Sequence, residues 1–554
     1  MSMKLNGSQI IMEILLEHKV DTVFGYPGGA ALFIYDALYD YADKIKHVLT
    51  AHEQGAAHAA DGYARATGKT GVVFATSGPG ATNLVTGIAT AFMDSIPLIA
   101  ITANVADELI GRDAFQEISI TGVTLPITKH NYFVNHIEDL EDALRNAFRI
   151  ANEGRKGPVL IDVTKDVSNA FFDFTPQPPL PLQPTPTFKM DTIKEIASII
   201  NEAKRPMIYF GGGVVASGAK QEVAKLIEKA DIPAAYTIMA AGVLDCDDPR
   251  NLGMLGMHGS MASNRSVQEA DLLIVLGARF SDRAALNTKR FAQKAAIIQI
   301  DIDASEINKN VAINYSIVGD IKDALIKLLP LVNTCEHPSW ASEVKSWKQD
   351  VWMQLDNALL RPKDIMASIN KLTDNDTIYV TDVGQHQMWA AQYIKHKHTK
   401  SFLTSGGLGT MGYGYGAAIG AQMGCPNKRV VHITGDGSFH MNLNEACTAV
   451  SEHLPIISVI MNNQVLGMVY QWQTTFYNKH YSQTTPHRKT DFPKLAQAFG
   501  ANGYRAKTIE EFEDAFQKAL KHTGPVWIEC IIDKEEKVLP MIPNGGTIDD
   551  VYID

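Results

Sequence analysis

Hydrophobic residues in the first third of this chain form short apolar runs separated by longer segments with helical spacing. Short apolar runs that end in glycine, proline or polar residues predict buried strands, and apolar positions three and four apart predict amphipathic helices. Because strands and helices alternate, the pattern predicts a parallel sheet with helices on both faces. The predicted strands occupy residues 21–25, 47–50, 71–76, 97–102 and 157–162.

The same alternation returns twice further along the chain. Residues 404–412 and residues 76–80 both begin with Thr-Ser-Gly, which indicates that the first and third units are related. We therefore predict the fold class α/β, with three doubly wound parallel-sheet domains. The additional predicted strands occupy residues 206–210, 271–276 and 296–302 in the second unit, and 377–382, 430–434 and 456–461 in the third.

A proline-rich stretch at residues 174–187 follows the first unit. Its six prolines exclude a helix or a central strand and favour polyproline II, so we interpret it as a stiff linker. A PxxP ligand for a signalling domain is the less favoured alternative. The predicted division is an N-terminal domain at 1–173, the linker at 174–187, a central domain at 188–340, a C-terminal domain at 361–535 and a tail near the active site at 536–554.

The N-terminus predicts a globular beginning rather than a targeting segment. An amphipathic helix is expected after Asn6-Gly7-Ser8, with Ile10, Ile11, Ile14 and Leu15 on one face. Neither a basic leader nor an apolar run of about 18 residues occurs, so we expect no membrane span and a cytoplasmic location.

Net charge and cysteine content exclude some classes of partner and site. The formal net charge of −11 argues against a nucleic-acid or anionic-membrane partner. The five cysteines are scattered and include no C-x-x-C pair, which supports neither a disulfide framework nor a zinc site.

Two strands of the third unit end in polar residues. The run at 430–434 breaks at Gly435-Asp436-Gly437, and the run at 456–461 ends in Asn462-Asn463-Gln464. Parallel strands present their carboxyl ends at one edge, where an Asp carboxylate and an Asn amide suit Mg²⁺ and a bound diphosphate. Asp is also a favoured helix N-cap, and Gly-Asp-Gly alone does not separate the two interpretations. The adjacent Asn462-Asn463 pair at the end of the second run favours the Mg²⁺ site over the helix cap.

Three strands of the second unit end in glycine or acid. They lead into Gly211-Gly212-Gly213, Gly277 and Asp301, a pattern that fits a dinucleotide site. No G-x-G-x-x-G opens a helix here, so an ordinary acid at a strand end remains the alternative.

Several motifs together resemble a known family. Asp436 and Asn463 at this spacing, Glu53 in HEQGAAHAADGYAR and the loop TSGPGATNLVTG resemble the thiamine-diphosphate enzymes of the pyruvate oxidase and decarboxylase type. Nearly the whole chain is similar, in order, to the large catalytic subunits of acetolactate synthase. The motifs that carry this closer resemblance are FGYPGGA, MDSIP, DAFQE, PITKHNY, GPVLIDVTKDV, GMLGMHG, SGGLGTMGYG, GMVYQWQ and EEKVLPMIPNGG.

The resemblance implies an architecture and a reaction. It implies pyrimidine-binding, central FAD-binding and diphosphate-binding domains, in a homodimer or homotetramer with active sites at the dimer interface and with a small regulatory subunit as a further partner. The implied reaction decarboxylates pyruvate and joins the remaining two-carbon group to a second 2-ketoacid, pyruvate or 2-ketobutyrate, in branched-chain amino acid biosynthesis. The alternatives are flavin-dependent oxidation of pyruvate and a catalytically inactive cofactor-binding homologue; a glyoxylate-joining relative is disfavoured because that branch lacks the Glu at position 53.

The family roles map onto individual residues. Glu53 would bond the aminopyrimidine of thiamine diphosphate, although a Glu near a helix start also favours that terminus electrostatically. Asp436, Asn463 and a main-chain carbonyl near Val465 would hold Mg²⁺. Met411 would prop the cofactor into a bent shape, the alternative being simple core filling.

Further residues would contact substrate and cofactors. Substrate would meet Phe115, Gln116, Lys165, Arg283 and Trp472; Arg283 would bind the acceptor carboxylate and Trp472 would select its side chain, unless Trp472 is only a packing residue. FAD, structural rather than redox-active, would lie on Arg155, Gly211, Gly212, Gly213, Met257, His258, Gly259, Gly277, Arg279, Asp301 and Asp320. Thiamine diphosphate would also contact Pro27, Gly28, Ser77, Gly80, Asn83, Gln385, His386, Gly409, Gly435, Gly437, Ser438, Leu466, Gly467 and Met468.

Two stretches depart from the family pattern. Ala103-Asn104-Val105-Ala106 stands where the family commonly has Gly-Gln-Val-Pro. Asp107 and Glu108 then replace the two basic or polar residues that follow it in the family, at the expected channel mouth. Arg279-Phe280-Ser281-Asp282-Arg283 has serine where the family has aspartate. Channel electrostatics and acceptor preference are therefore open, whereas the thiamine residues are intact.

Overall fold

A computed structural model describes residues 2–349, 351 and 359–554 of the chain, so residue 1 of the predicted N-terminal domain lies outside the described part. Within that part, three six-stranded sheets are each entirely parallel, and a two-stranded antiparallel sheet accompanies the first. This confirms the predicted fold class. None of the helices in the described ranges is both long and apolar enough to cross a bilayer.

The N-terminal domain contains the first sheet and its covering helices. Its strands are β1 (Met3–Asn6), β2 (Thr22–Gly25), β3 (Lys46–Leu49), β4 (Gly71–Ala75), β5 (Leu98–Asn104), β6 (His130–Val134), β7 (Pro158–Thr164) and β8 (Phe171–Phe174). Its helices are α1 (Gly7–Glu17), α2 (Leu32–Asp40), α3 (Glu53–Thr67), α4 (Pro79–Asn83), α5 (Val85–Asp94), α6 (Ile120–Thr124), α7 (Leu140–Asn152) and α8 (Lys165–Asn169).

The central domain follows a stretch, residues 175–189, without helix or strand. Phe174, inside the predicted linker, still belongs to β8 and is buried. The strands are β9 (Pro206–Phe210), β10 (Ala234–Tyr236), β11 (Asn251–Met254), β12 (Leu272–Leu276), β13 (Ala296–Asp301) and β14 (Tyr315–Val318). The helices are α9 (Met190–Glu202), α10 (Gly212–Ser217), α11 (Lys220–Lys229), α12 (Met261–Glu269), α13 (Ile321–Leu328) and α14 (Pro338–Ser346).

The C-terminal domain contains the third sheet and ends in a tail. Its strands are β15 (Ile378–Thr381), β16 (Phe402–Leu403), β17 (Val430–Gly435), β18 (Ile457–Asn462), β19 (Asn502–Ala506) and β20 (Val526–Ile531). Its helices are α15 (Pro362–Leu372), α16 (Gln385–Tyr393), α17 (Tyr413–Gly424), α18 (Asp436–Asn442), α19 (Ala446–Ser451), α20 (Gly467–Phe476), α21 (Phe492–Phe499) and α22 (Ile509–Leu520).

Strand order shows that the first and third sheets share one topology. The orders are β3-β2-β4-β5-β7-β6 and β16-β15-β17-β18-β20-β19, so corresponding strands occupy the same places. The central sheet runs β11-β10-β9-β12-β13-β14, the arrangement of dinucleotide-binding folds. In such sheets ligands bind where the strand order reverses, which is beside β2 and β4, β9 and β12, and β15 and β17.

Two helices of small residues join the N- and C-terminal domains. Helix α3 packs against α17 so closely that a Cβ on Gly420 would lie 1.8 Å from the Ala59 carbonyl oxygen, and one on Gly62 would lie 2.2 Å from that of Ala417. Buried residues of both domains form one hydrophobic cluster around this contact. The start of α3 is therefore held by the C-terminal domain as well as by its own.

Candidate active site

The C-terminal sheet brings Asp436 and Asn463 to the same edge, as predicted. Asp436 begins α18 after β17 and is 5% exposed, and Asn463 follows the neighbouring strand β18. Burial raises the pKa of Asp436 to about 7, while the backbone N–H groups of Gly437 and Asn463 act in the opposite direction. A buried carboxylate beside an amide oxygen is a donor set that fits Mg²⁺, whose charge would favour the ionised form.

The side chain of Asn463 is held in place by its neighbours. Its Oδ1 accepts the N–H of Val465 at 3.2 Å, and its Nδ2 donates to Gln385 Oε1 at 3.2 Å. Asn462 instead donates to Glu529 at 2.7 Å, so the two adjacent asparagines bind different partners. Gly467 lies tightly against Gln385, because a Cβ there would be 2.0 Å from Gln385 Oε1.

A histidine with an unpaired ring nitrogen lies beside Asp436. His386 packs so close to Gly435 that a Cβ there would be 2.9 Å from its Nδ1. Its Nε2 is buried and has no hydrogen-bond partner among the residues that the structure describes. Burial lowers the pKa of His386 to about 4, so the ring is neutral near pH 7. A buried polar nitrogen without a partner fits a diphosphate oxygen as its missing acceptor.

Loop 404–412 approaches the same edge and carries Met411, which is half-buried. The N–H of Gly412 donates to Ser438 Oγ at 3.0 Å, and Asn442 Nδ2 donates to the Gly412 carbonyl at 2.8 Å. Gly409 has φ +71° and nothing within 4 Å of a built Cβ, so the loop needs glycine there for backbone conformation rather than for space. Met411 is thus placed next to α18.

The N-terminal domain supplies a second group of predicted residues around Glu53. This carboxylate is 9% exposed, and its Oε2 accepts a hydrogen bond from Asn83 Nδ2 at 2.9 Å. A Cβ on Gly80 would lie 3.2 Å from Glu53 Oε1. Gly28 presses on Thr76, whose Oγ1 is buried without a partner among the described residues. With Pro27 and Ser77, these residues line the point where the strand order reverses between β2 and β4.

Groups other than Glu53 bind the backbone N–H groups around the start of its helix. His52 accepts the N–H of Gln54 at 3.1 Å, and Glu445 of the C-terminal domain accepts the N–H groups of Ala51 and His52, each at 3.1 Å. The capping interpretation therefore explains Glu53 less well than it explains its neighbours. Glu445 lies 394 positions from Ala51, and no local pattern in the sequence indicates that contact.

Arg283 and Trp472 come together although they belong to different domains. The guanidinium carbon of Arg283 lies 5.9 Å from the centre of the Trp472 ring, and its Nη1 lies 3.6 Å from Met257 Sδ. The Arg283 side chain is 60% exposed, so it is open to an anionic ligand. A guanidinium over an aromatic ring is oriented without losing its hydrogen-bond donors.

Three further predicted substrate residues belong to the N-terminal domain. Phe115 is 87% exposed, and Gln116 has φ +62° with its backbone against Gly78. Lys165 begins α8 and lies 5.9 Å from the Phe33 ring centre. Their open surfaces are compatible with contacts to a ligand.

The central domain places the predicted FAD glycines between β9 and β12. A Cβ on Gly211 would lie 2.5 Å from the Gly277 carbonyl oxygen, and Gly213 N–H donates to that oxygen at 3.0 Å. His258 is buried, and its Nδ1 has no partner in the described part of the chain. The strand order and this unpaired nitrogen fit a dinucleotide at the reversal point. Asp301 ends β13, and burial raises its pKa to about 6.

Two predicted FAD residues have other partners in this structure. Arg155 forms ion pairs with Asp303 at 3.3 Å and Glu306 at 2.9 Å, joining the N-terminal and central domains. Asp320 caps α13 by accepting the N–H of Asp323 at 3.1 Å. Both side chains therefore have protein partners in this structure, and their contacts with FAD stay predictions.

Sequence reasoning overlooked Gln471. Gln385 Nε2 donates to Gln471 Oε1 at 3.0 Å, and the same oxygen accepts the N–H of Val538 at 2.9 Å. Gln471 Nε2 donates to the Val538 carbonyl at 3.1 Å. This one side chain ties the tail to α20 beside Trp472, and the distance along the chain between these partners hides the pairing.

Three family models match this chain in the order of its domains. They are described as the N-terminal TPP binding domain, the central domain and the C-terminal TPP binding domain of thiamine pyrophosphate enzymes, and they match residues 5–123, 193–328 and 382–530. The fold and the two half-sites are thus those of a thiamine pyrophosphate enzyme.

Similarity to individual proteins extends over almost the full length. A probable acetolactate synthase large subunit from Methanocaldococcus jannaschii is 44% identical over 99% of this chain and 95% of its own length. The large subunits of acetolactate synthase isozymes 1 and 2 from Escherichia coli are each 43% identical over 98% of this chain, and over 97% and 98% of their own lengths. The chain belongs to the acetolactate synthase large-subunit family.

Proposed function

We propose that this protein decarboxylates pyruvate and transfers the remaining two-carbon group to a second 2-ketoacid. The products are 2-acetolactate from pyruvate and 2-aceto-2-hydroxybutyrate from 2-ketobutyrate, at the first common step of branched-chain amino acid synthesis. The observation that carries the proposal is that a buried Glu53, bonded to Asn83 at 2.9 Å, stands on the same chain as the Asp436–Asn463 pair. These are the proton-handling and metal-binding halves of a thiamine diphosphate site.

Thiamine diphosphate, when bound, supplies a thiazolium that accepts the electron pair released by decarboxylation. Glu53 holds a proton at the aminopyrimidine ring nitrogen, and Asn83 keeps its carboxylate oriented. Met411 supports the cofactor from loop 404–412, and His386 donates its free N–H to the diphosphate.

We assign Mg²⁺ to Asp436, Asn463 and the main-chain carbonyl of Val465, and FAD to the reversal point beside Gly211 and Gly277. The oxygen-rich donor set supports the metal, and the central strand order supports the dinucleotide. The proposed domain limits are 1–173, 188–340 and 361–535, with the linker and the tail as predicted.

Arg283 and Trp472 form the proposed acceptor subsite. The guanidinium binds the carboxylate of the second 2-ketoacid as a two-pronged donor, while the Trp472 ring bounds the space for its side chain. Phe115, Gln116 and Lys165 line the entrance in this proposal.

Self-association into a homodimer or homotetramer, with shared active sites, is also proposed. Its support is the set of large apolar side chains left exposed on the N-terminal domain and around α18. Leu32 is 60% exposed, Leu49 53%, Phe115 87%, Leu125 70% and Met441 57%. Exposed apolar surface of this kind is typical of an interface.

Purified protein with thiamine diphosphate, Mg²⁺ and FAD tests the reaction directly. Pyruvate should yield CO₂ and 2-acetolactate, measured by mass spectrometry, with no flavin bleaching under anaerobic conditions. Glu53→Gln should lower turnover by about 100-fold or more, because it removes the proton-handling group. Glu13→Gln is the matched control, since Glu13 is a partly buried carboxylate of the same domain that accepts the Tyr41 hydroxyl at 2.7 Å, away from the predicted site residues. Flavin reduction by pyruvate, or full activity of Glu53→Gln, would overturn the proposal.

A further inference from the structure

A buried cluster of charges lies between helix α3 and loop 404–412. Arg65, on α3, pairs with Asp61 at 2.6 Å and with Asp94 at 2.8 Å, and the side chains of both acids are fully buried. The Nη1 group of Arg65 donates to the Thr404 carbonyl at 2.8 Å. One N-terminal-domain arginine thus joins two carboxylates to the beginning of a C-terminal-domain loop.

Asp94 makes the most direct contact with that loop. It is the last residue of α5, and its two oxygens accept the N–H of Gly406 at 3.0 Å and the N–H of Gly407 at 2.7 Å. The approach is close, because a Cβ on Gly407 would lie 2.8 Å from Asp94 Oδ1. Charge-assisted bonds to backbone N–H groups are among the stronger hydrogen bonds in proteins, and burial keeps water from competing for them.

Two further contacts continue the attachment along the loop. The hydroxyl of Thr90 lies 2.8 Å from that of Thr410, and Tyr413 donates to Asp61 at 2.7 Å. On its other side, the loop is bonded to α18 through Gly412 and Ser438. The segment that carries Met411 is therefore fixed between the N-terminal domain and the helix that begins at Asp436.

We propose that Asp94, oriented by Arg65, is a positioning residue for thiamine diphosphate: it holds loop 404–412 so that Met411 supports the cofactor. It acts through the loop and does not touch the cofactor itself. The N-terminal domain thereby sets cofactor affinity in the C-terminal domain of its own chain. The inference rests on the proposed function only through the role of this loop in binding thiamine diphosphate.

A purely structural cluster and a positioning cluster predict different results. Loss of a buried ion pair lowers stability in either case. Only a positioning role lowers cofactor affinity in protein that remains folded, and only that role frees the Gly406 and Gly407 amides while α3 stays protected.

Asp94→Asn is the principal variant, since it removes the charge and turns one acceptor into a donor that faces a backbone N–H. Glu17→Gln is the matched control, because Glu17 is a buried carboxylate of the same domain that binds Arg145 at 2.9 Å, with its partners outside loop 404–412. The holoprotein is stripped of cofactor and titrated with thiamine diphosphate at saturating Mg²⁺, with binding followed by calorimetry. Asp94→Asn should raise the dissociation constant by about tenfold or more, and Glu17→Gln should leave it within about twofold of wild type.

Hydrogen exchange of peptides covering residues 404–412 supplies a readout independent of activity. Asp94→Asn should speed exchange there and not in peptides from α3. If Asp94→Asn does not fold, Thr90→Val serves as the second variant. It removes the hydroxyl contact to Thr410 together with a bond to the Thr86 carbonyl inside α5, and it should still weaken binding by about threefold. Equal affinity and equal exchange in the folded variant and Glu17→Gln would overturn the inference. Wild-type protein that binds thiamine diphosphate and yields no 2-acetolactate would instead overturn the proposed function.

Discussion

Glu53 shows how the surroundings of a side chain decide between two ordinary roles. A glutamate at a helix start favours the local dipole, and the sequence alone leaves that role open. In the structure His52 accepts the N–H of Gln54 in the first turn of the helix, and Glu445 accepts the N–H groups of Ala51 and His52 just before it. Glu53 is instead bonded to Asn83. The residue that the motif indicates is therefore available for chemistry, because its own partner is Asn83, 30 residues away, while Glu445 binds the backbone of His52 from 393 residues away.

Trp472 allows a prediction about the preferred acceptor. Trp472→Leu should lower the preference for 2-ketobutyrate over pyruvate by about 10- to 100-fold, because one methylene in an apolar pocket contributes about 1–3 kcal/mol. The measurement is the product ratio when both 2-ketoacids compete at equal concentration.

Phe476→Leu is the control for this substitution. Phe476 lies on the same helix with its ring centre 5.3 Å from that of Trp472, and it faces Tyr552 instead of Arg283. An unchanged product ratio in Trp472→Leu, or an equal change in Phe476→Leu, would remove Trp472 from the acceptor subsite.

At the scale of elements, position in the sheet does not decide which strands the sequence predicts. The edge strand β3 is predicted at residues 47–50, whereas β10 and β20, which lie inside their sheets, are not. The runs that predict β4, β7, β9, β12 and β18 are mostly apolar, with few polar residues such as Asp162 and Ser458, since both faces of a central parallel strand are buried. The edge strand β6 is only partly buried and carries no such run, and β10 has only three residues. The strand β20 is also mostly apolar and buried, yet it is not among the predicted strands.

The contact between α3 and α17 permits a test of domain attachment. Gly420→Ala should lower the free energy of unfolding by about 3 kcal/mol or more, because its Cβ would meet the rigid Ala59 carbonyl at 1.8 Å. Gly29→Ala, where a Cβ would meet nothing within 4 Å, should change that free energy by less than about 0.5 kcal/mol. Urea unfolding measures the free energy of both variants. Equal changes would show that the contact between α3 and α17 tolerates the extra methyl group.

The beginning of the tail carries a pH-dependent group. Glu536 is 2% exposed, and burial raises its pKa to about 7; Arg361 lowers this pKa, whereas Asp533 and Asp364 raise it. Because the folded pKa exceeds the unfolded value of about 4.3, the stabilising contribution is complete below about pH 4.3 and is lost as pH rises through about 7. Glu536→Gln should therefore lose less unfolding free energy than wild type between about pH 5 and about pH 7.5, measured by urea unfolding. Identical pH profiles would contradict this.

At the scale of the molecule, the first and third domains share one strand order and hold the two halves of the proposed cofactor site. If active sites are shared between subunits, Glu53→Gln and Asp436→Asn chains should complement each other. Random pairing makes about half of the dimers mixed, each with one intact site of two, so co-expression should restore about a quarter of wild-type activity.

The control is co-expression of Glu53→Gln with Glu53→Ala, which leaves no intact site in any pairing. Activity of the first mixture no higher than that of the control would place both halves of the site within a single chain.

The sequence by itself determined the α/β class, the three domains and the polar residues at the strand ends, because burial patterns and strand-end positions are local properties of the chain. It also indicated the family through motifs spread along its length. Only the tertiary structure decided that Arg155 and Asp320 have protein partners, that Glu445 binds the backbone just before the helix of Glu53, and that Asp94 holds loop 404–412. These contacts join residues far apart in sequence, and their energies depend on burial and orientation that arise only when the domains pack together.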